Sequence, residues 1–255
     1  MSVLSCSGID VRIAGIQVVN RLDLEIQPGQ FWGLLGPNGI GKTTLLKCLA
    51  GLDQPAAGQV QLESRDIREL PRKLLARHIG MLQQHTVYVF DSSVLQTVLT
   101  GRHPHLAYWE REGAVDLEKA GDALKAVGLE RFGQRSVTGL SGGEARRLAF
   151  AALLVQEPEI MLLDEPTNHL DLRHQVQIMG MIRERVRTGS NSAFAALHDI
   201  NLAASYCSHL VMLFGEGQWC AGKTSEILNE SSLERLYNCP VERIEGSTGP
   251  RYHPA

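Results

Sequence analysis

The feature that most constrains the fold is a glycine-rich loop between a predicted strand and a predicted helix. The apolar stretch Phe31–Leu35 predicts a buried strand, and residues 42–52 have the pattern of a helix. The loop that joins them, GPNGIGKT, fits the pattern GxxxxGK[ST] in the structural context that this motif requires. Its glycines let successive backbone N–H groups surround phosphate oxygens, and the start of the helix adds the positive end of its dipole. The sequence therefore predicts a phosphate-binding loop.

Two side chains of this loop have expected roles of their own. Lys42 supplies a cation to the outer phosphates of a nucleotide, and the Thr43 hydroxyl is placed to bind Mg²⁺. We expect the loop to bind nucleotide through Gly36, Pro37, Asn38, Gly39, Gly41, Lys42, Thr43 and Thr44.

A second apolar strand, Ile160–Leu163, ends in two adjacent acids, Asp164 and Glu165. Unpaired charge at the tip of a buried strand is costly, whereas a cation and a water at the carboxyl edge of a sheet would account for both acids. We therefore predict that Asp164 binds the magnesium ion, directly or through water, and that Glu165 polarises the attacking water. The alternative is a solvated strand end.

The segment Leu140-Ser141-Gly142-Gly143-Glu144 precedes an amphipathic helix. Ser141 is a favoured N-cap, and the two glycines leave backbone donors of the first turn open to an anion. Taken alone, the segment is only a helix cap. Beside the first loop it predicts a second phosphate-binding helix start.

Composition bounds the class of protein. The chain has 255 residues, a formal net charge of −3 and 5% aromatic residues, so neither a basic field nor a stacking platform for nucleic acid is indicated. Its five cysteines form no CxxC pair, and no run approaches the roughly 18 apolar residues of a membrane span. We expect a single α/β domain.

The three motifs GPNGIGKTT, LSGGE and LLDEP occur in this order and resemble the ATP-binding cassette (ABC) family over nearly the whole chain. The resemblance implies a P-loop NTPase fold, ATP and Mg²⁺ as ligands, an N-terminal antiparallel β subdomain and an inserted helical subdomain. We place the core at about residues 1–84 and 141–222, the helical subdomain at 85–140 and a C-terminal tail at 223–255.

The resemblance also implies roles for residues outside the three motifs. Gln84 is expected to meet magnesium and a membrane partner, although Gln83 beside it leaves the register open by one residue. Asp171 resembles the acid of a loop that crosses to a second subunit, and His198 resembles the histidine that contacts the terminal phosphate. Many cassettes stack an aromatic ring on adenine, and here Ile13 stands at about that position. The base contact is therefore expected to be apolar, or cation–π through Arg12, with weak purine discrimination.

Three stretches narrow the resemblance. Residues 101–105 read GRHPH, residues 167–171 read TNHLD and residues 198–204 read HDINLAA, all similar to cassettes of importers of iron–siderophore, haem and cobalamin. His103 and His105 have no third candidate ligand, which argues against a metal site there.

The family implies a second copy of the chain, which forms an ATP-sandwich dimer, integral-membrane permease subunits and a substrate-binding protein as partners. It implies a peripheral location on the cytoplasmic face of the inner (plasma) membrane, and no nucleic-acid partner is expected. Four rings in a chain poor in them, Tyr88, Phe90, Tyr108 and Trp109, form either the core of the helical subdomain or a groove for a helix of the permease. We expect alanine at Tyr88 or Phe90 to leave folding and ATP binding intact and to weaken assembly with the permease.

The alternatives are distinguished by features of the sequence. A chromosome-maintenance cassette needs a long coiled coil, and translation-factor types usually carry two cassettes, whereas this chain has one GxxxxGK[ST] and no heptad run. A non-hydrolysing regulator would lack Glu165 or Gln84, and a small-molecule kinase would lack LSGG. A cassette ATPase outside transport, or a transporter of another cargo, stays open.

Overall fold

The structure is a computed structural model that describes residues 3–84, 88, 91–246 and 249–255. Within these residues the strands are β1 (Leu4–Ile13), β2 (Ile16–Ile26), β3 (Phe31–Leu35), β4 (Ala57–Leu62), β5 (Arg65–Asp66), β6 (Ile79–Leu82), β7 (Ile160–Asp164), β8 (Ser192–Ala196), β9 (His209–Gly215), β10 (Gln218–Lys223), β11 (Val241–Gly246) and β12 (Gly249–Pro254). The helices are α1 (Lys42–Leu49), α2 (Arg72–His78), α3 (Val94–Leu99), α4 (Ala114–Ala126), α5 (Gly142–Gln156), α6 (Leu172–Thr188), α7 (Ile200–Tyr206), α8 (Thr224–Ile227) and α9 (Glu230–Tyr237).

The central sheet has six strands in the order β10-β9-β3-β8-β7-β6. β9, β3, β8, β7 and β6 run parallel to one another, and β10 is an edge strand antiparallel to β9. Parallel strands end at one edge of a sheet, so the segments that follow β3, β6, β7 and β8 meet there. This arrangement confirms the predicted α/β class.

Alternating residues of these strands face two hydrophobic layers, as the pleat of a strand requires. Phe31 and Met161 pack with the helices α4 and α5, whereas Trp32 and Ile160 pack with α1 and the N-terminal strands. A sheet covered on both faces explains why these strands read as continuous apolar runs rather than alternating patterns.

The N-terminal strands form a separate antiparallel sheet in the order β2-β1-β4-β5. Its buried face, which includes Leu4, Ile9 and Val60, packs in the same layer as α1. This sheet places the turn after Ile13 beside the start of α1.

The helices α3, α4 and α5 pack on one another through residues such as Val98, Leu124 and Phe150. Arg102, in a short 3-10 turn after α3, is buried and pairs with Asp116 at 2.7 Å. α5, which begins after Ser141, therefore contacts the helices of segment 91–140 as well as the central sheet.

Helix α1 ends three residues before the predicted boundary. Leu52 N–H donates to Lys47 O at 2.9 Å and Gly51 N–H donates to Cys48 O at 3.1 Å, with Gly51 at φ 68°. These two bonds form a Schellman motif, which closes a helix with a left-handed glycine.

The segment after β10 is folded, although the sequence analysis assigned no element to it. It forms α8, α9 and the hairpin β11–β12. Its residues Leu233, Leu236 and Tyr252 are buried in the hydrophobic layer that contains Phe31 and Met161. The side chain of Asn201 on α7 accepts from Tyr252 N–H at 2.8 Å and donates to Tyr252 O at 3.1 Å. The hairpin is thus fastened to the helix that follows His198.

Candidate functional site

A cavity of about 500 Å³ lies at the carboxyl edge of the central sheet. It is lined by Ile13, Asn38, Gly39, Gly41, Lys42, Thr43, Thr44, Gln84, Glu165, Asn168 and His198. Segments distant in the sequence thus meet at one place, and all but Asn168 belong to the residues predicted above to form the site.

The glycine loop has the backbone that the sequence predicts. Gly39 and Gly41 adopt positive φ angles of 75° and 104°, and a Cβ on Gly41 would lie 2.5 Å from Val18 Cγ2. α1 starts without a side-chain cap on its first amides. Those N–H groups and the helix dipole are therefore available to an anion.

Lys42 is buried and directed into this loop. Its Nζ donates to Gly36 O at 2.7 Å and to Pro37 O at 3.1 Å. Burial lowers the pKa of the ammonium, and the nearby charges of Glu165 and Asp164 act in the opposite direction. These contacts hold the Lys42 ammonium beside the loop backbone that would surround the phosphates.

Thr43 and Asp164 meet between α1 and β7. The Thr43 hydroxyl donates to Asp164 Oδ2 at 2.7 Å, while Asp164 Oδ1 is buried and, among the described residues, has no hydrogen-bond partner. Burial raises the pKa of Asp164, and the Glu165 charge acts in the same direction. A hydroxyl and a carboxylate with an unused oxygen are hard ligands that fit Mg²⁺.

Glu165 follows with a positive φ of 53°, rare for a residue with a side chain, and it is buried. Its Oε1 is hydrogen-bonded to His198 Nε2, and its Oε2 accepts from Asn168 Nδ2 at 2.9 Å. Both carboxylate oxygens thus have partners that fix the orientation of the group at the cavity. The sequence analysis noted Asn168 only as part of TNHLD; its position three residues after Glu165, in the same turn, was the available signal.

Of the two candidate glutamines, Gln84 lines the cavity and Gln83 is an exposed residue outside its lining. Both follow β6, whose carboxyl end lies beside that of β7. The geometry therefore favours Gln84 as the glutamine that faces a bound nucleotide.

Arg146 is a further residue at this edge that the sequence analysis did not select. It is buried on α5, and its guanidinium donates to the carbonyls of Gln83, Gln84, Asp164 and Glu165. No local pattern predicts this contact, because it depends on how the helix packs beneath two strand ends.

Ser141, Gly142 and Gly143 do not line the cavity. Ser141 forms a capping box with Glu144: its hydroxyl accepts from Glu144 N–H at 3.3 Å, and the Glu144 carboxylate accepts from Ser141 N–H at 2.8 Å. Asp171 also lies outside the cavity and caps α6 by accepting from His174 N–H at 2.9 Å. Their predicted roles in binding nucleotide thus need a site that this single chain does not bring together.

Ile13 lines the cavity, and 42% of its surface is exposed. Arg12 is hydrogen-bonded through Nε to Gln17 Oε1 at 2.6 Å and is not part of the lining. An apolar contact with a base is therefore better supported than a cation–π contact from Arg12.

The four rings are found in different environments. Tyr88 is partly buried against the hydrophobic layer that contains Phe31 and Met161, and burial raises its pKa to about 12. Tyr108 and Trp109 stack edge to face and are 87% and 90% exposed. Phe90 lies outside the described residues.

No helix in the described ranges is long and apolar enough to cross a bilayer.

Comparison with known proteins identifies the family. The family model described as ABC transporter matches residues 19–168. The ferric enterobactin transport ATP-binding protein FepC of Escherichia coli is 40% identical over 86% of this chain and 81% of its own length. The hemin import ATP-binding protein HmuV of Rhodopseudomonas palustris is 35% identical over 97% of this chain and 95% of its own. The cobalamin import ATP-binding protein BtuD of Halobacterium salinarum is 34% identical over 93% of this chain, which spans 59% of that longer relative.

Solved structures agree with this assignment. An ABC transporter in an inward-facing conformation superposes with a TM-score of 0.84 at 24% identity, covering 99% of this chain and 96% of that one. A dimeric post-hydrolysis ATP-binding cassette bound to ADP and Pi has a TM-score of 0.74 at 25% identity, covering 86% and 98%. The predicted cassette fold is confirmed. The chain belongs to the ABC transporter family, as an ATP-hydrolysing subunit that energises transport.

Proposed function

We propose that the chain binds ATP with Mg²⁺ in the cavity at the carboxyl edge of the central sheet and hydrolyses it there. The observation that carries this proposal is the meeting of the glycine loop with Glu165, Gln84 and His198 around one cavity. Phosphoryl transfer needs mainly positioning and charge stabilisation, and this set of groups provides both.

The glycine loop and Lys42 bind the phosphates, with Gly36, Pro37, Asn38, Gly39, Gly41 and Thr44 forming the rest of the cradle. Glu165 accepts a proton from the water that attacks the terminal phosphorus, and the products are ADP and inorganic phosphate. His198 holds the Glu165 carboxylate from one side and faces the terminal phosphate. Glu165 can act only when it is ionised and oriented, and its contacts with His198 and Asn168 provide the orientation.

Thr43, Asp164 and Gln84 would hold the magnesium ion. When bound, Mg²⁺ neutralises charge on the phosphate oxygens. The pairing of the Thr43 hydroxyl with Asp164, and the unused Asp164 Oδ1, support this assignment.

The site is completed by a second copy of the chain. Ser141, Gly142 and Gly143 of one copy contact the nucleotide held by Lys42 of the other, and Asp171 lies at the crossing between copies. Two facts support this: these residues lie outside the cavity of their own chain, and a solved cassette of the same fold is dimeric. Nucleotide bound between two copies stabilises the dimer by mass action, and hydrolysis releases it.

The cargo is an iron–siderophore, haem or cobalamin, and the direction is import. The names of the relatives given above support this, since they include ferric enterobactin, hemin and cobalamin systems. The dimer would act on separate integral-membrane permease subunits from the cytoplasmic face of the plasma membrane, with a substrate-binding protein delivering the cargo.

The test is purification of the chain with its membrane partners, followed by transport in vesicles. Integral-membrane subunits should co-purify, and one of ferric siderophore, haem or cobalamin should accumulate only when ATP is supplied. The same complex with Glu165→Gln is the control and should not transport. Purification without any membrane subunit would contradict the transport role, and uptake of a different class of cargo would contradict the cargo assignment.

A further inference from the structure

Arg146 occupies an unusual position for a cation. It lies in the second turn of α5, the helix that begins directly after Ser141, and only 5% of its surface is exposed. A buried charge is costly unless its donors are satisfied. Both terminal nitrogens of Arg146 have partners, whereas its Nε has no hydrogen-bond partner among the described residues. The partners of this guanidinium are backbone carbonyls rather than acids.

These carbonyls belong to two neighbouring strand ends. One terminal nitrogen donates to the carbonyls just after β6, with 3.3 Å to Gln84 O. The other donates to carbonyls at the carboxyl end of β7, with 2.7 Å to Glu165 O. Further bonds join the guanidinium to Gln83 O and Asp164 O. The planar guanidinium thus bridges the backbone of Gln83 and Gln84 and the backbone of Asp164 and Glu165.

The planar fork of an arginine fixes the spacing of the groups that it bridges, which a lysine ammonium does not. Burial lowers the pKa of the guanidinium to about 10, which still leaves it protonated at neutral pH. The side chains of the two bridged segments, Gln84 and Glu165, both line the nucleotide cavity. The backbone that Arg146 holds therefore sets where these two side chains lie.

We propose that Arg146 is a positioning residue that couples the start of α5, Ser141–Gly143, to Gln84 and Glu165 of the same chain. In the dimer, the start of α5 faces the nucleotide of the second copy, so nucleotide bound at one site fixes α5 and thereby sets Glu165 at the other. The inference rests on the proposed composite site. It predicts that ATP hydrolysis is cooperative and that the cooperativity depends on the guanidinium.

The experiment compares Arg146→Lys and Arg146→Gln with the wild-type chain in steady-state ATP hydrolysis, with thermal unfolding and nucleotide affinity measured on the same samples. Arg147→Lys is the matched control. Arg147 is the next residue of α5 and also donates to two carbonyls, Val127 O at 2.7 Å and Gly128 O at 3.2 Å, which lie away from the cavity.

We expect both Arg146 variants, at temperatures where they are folded, to lose about tenfold or more in kcat with KM for ATP changed by less than about threefold. The Hill coefficient should fall from above 1 in the wild type to 1, with Arg147→Lys close to wild type. The inference is overturned if folded Arg146→Lys keeps the wild-type kcat and Hill coefficient, or if Arg147→Lys shows the same losses. A Glu165→Gln sample in the same assay separates the two levels: its normal hydrolysis would reject the proposed site rather than the role of Arg146.

Discussion

At the scale of single residues, Asp164 is suited to bind a cation, but its buried charge lowers the stability of the cation-free fold. It is a buried carboxylate with one oxygen paired to Thr43 and the other without a partner among the described residues, and burial raises its pKa. An ionised group in this state favours a cation but destabilises the fold when none is bound.

We therefore expect Asp164→Asn to raise the free energy of unfolding of the nucleotide-free chain by on the order of 1 kcal/mol. The same change should abolish Mg²⁺-dependent hydrolysis. Thermal unfolding without nucleotide measures the first effect. Asp171→Asn is the control: Asp171 is exposed and Asn also caps a helix, so this change removes only an exposed ion pair with His174 and should not raise the free energy of unfolding. Equal or lower stability of Asp164→Asn would show that neighbouring cations already offset the buried charge.

Ile13 carries a prediction about the base. Because it lines the cavity where other cassettes place a ring, we expect GTP to compete with ATP within about tenfold, since stacking contributes only about 1 kcal/mol. Competition for hydrolysis at several GTP concentrations measures this. A preference for ATP beyond about a hundredfold, or more than 2.7 kcal/mol or so, would show that another group recognises adenine.

Single residues also mark the limit of what the sequence predicts. Lys42, Thr43 and Asp164 could be placed because their motifs fix both residue type and local backbone. Asn168 and Arg146 could not, because their contacts arise only when separate segments pack together. The register of Gln83 and Gln84 needed the geometry of the strand end.

At the scale of secondary structure, the strands of the central sheet could be predicted from their apolar runs. The segment after residue 223 could not. α9 is short, and β11 is polar and, within the described residues, pairs with β12 alone. Neither has the apolar pattern that identified β3 or β7. Their stability comes from tertiary contacts: α9 buries Leu233 and Leu236, and β11 pairs with β12, whose Tyr252 is hydrogen-bonded to Asn201.

The loop before α4 carries a prediction about the permease. From the sequence, docking is expected at Tyr88 or Phe90. Tyr88 is partly buried and Phe90 lies outside the described residues, whereas Tyr108 and Trp109 are almost fully exposed in this loop. We therefore expect the exposed pair to contact the permease. Exposed aromatic residues often dominate binding energy at interfaces. We expect Trp109→Ala to leave ATP binding and folding unchanged and to weaken assembly with the permease by about tenfold or more.

Pull-down of the permease and uptake into vesicles measure this effect. Ile244→Ala is the control, because Ile244 is also exposed, at 52%, but lies on β11 rather than in the loop before α4. Wild-type assembly and uptake with Trp109→Ala would show that these rings lie outside the permease interface.

At the scale of the whole molecule, the parallel order of β3, β8, β7 and β6 brings the four segments that carry the site to one edge. Ser141, Gly142 and Gly143 lie at the start of α5 and outside the cavity, whereas Arg146, one turn later on the same helix, contacts that edge. A molecule with this layout has a nucleotide cavity and a second candidate phosphate site outside that cavity. In a dimer of two copies, each nucleotide can contact the cavity of one chain and Ser141–Gly143 of the other.

The most direct test of this account is the mass of Glu165→Gln in solution with ATP and Mg²⁺, measured by size-exclusion chromatography with light scattering. The amide keeps the shape of the site but cannot accept a proton from water, so ATP should stay bound and hold two chains together. We predict a species of twice the chain mass that contains two ATP molecules, together with nearly complete loss of turnover. Lys42→Ala, which should lose nucleotide binding itself, is the control and should stay at the mass of one chain. A single-chain mass for Glu165→Gln, or hydrolysis at the wild-type rate, would contradict the account.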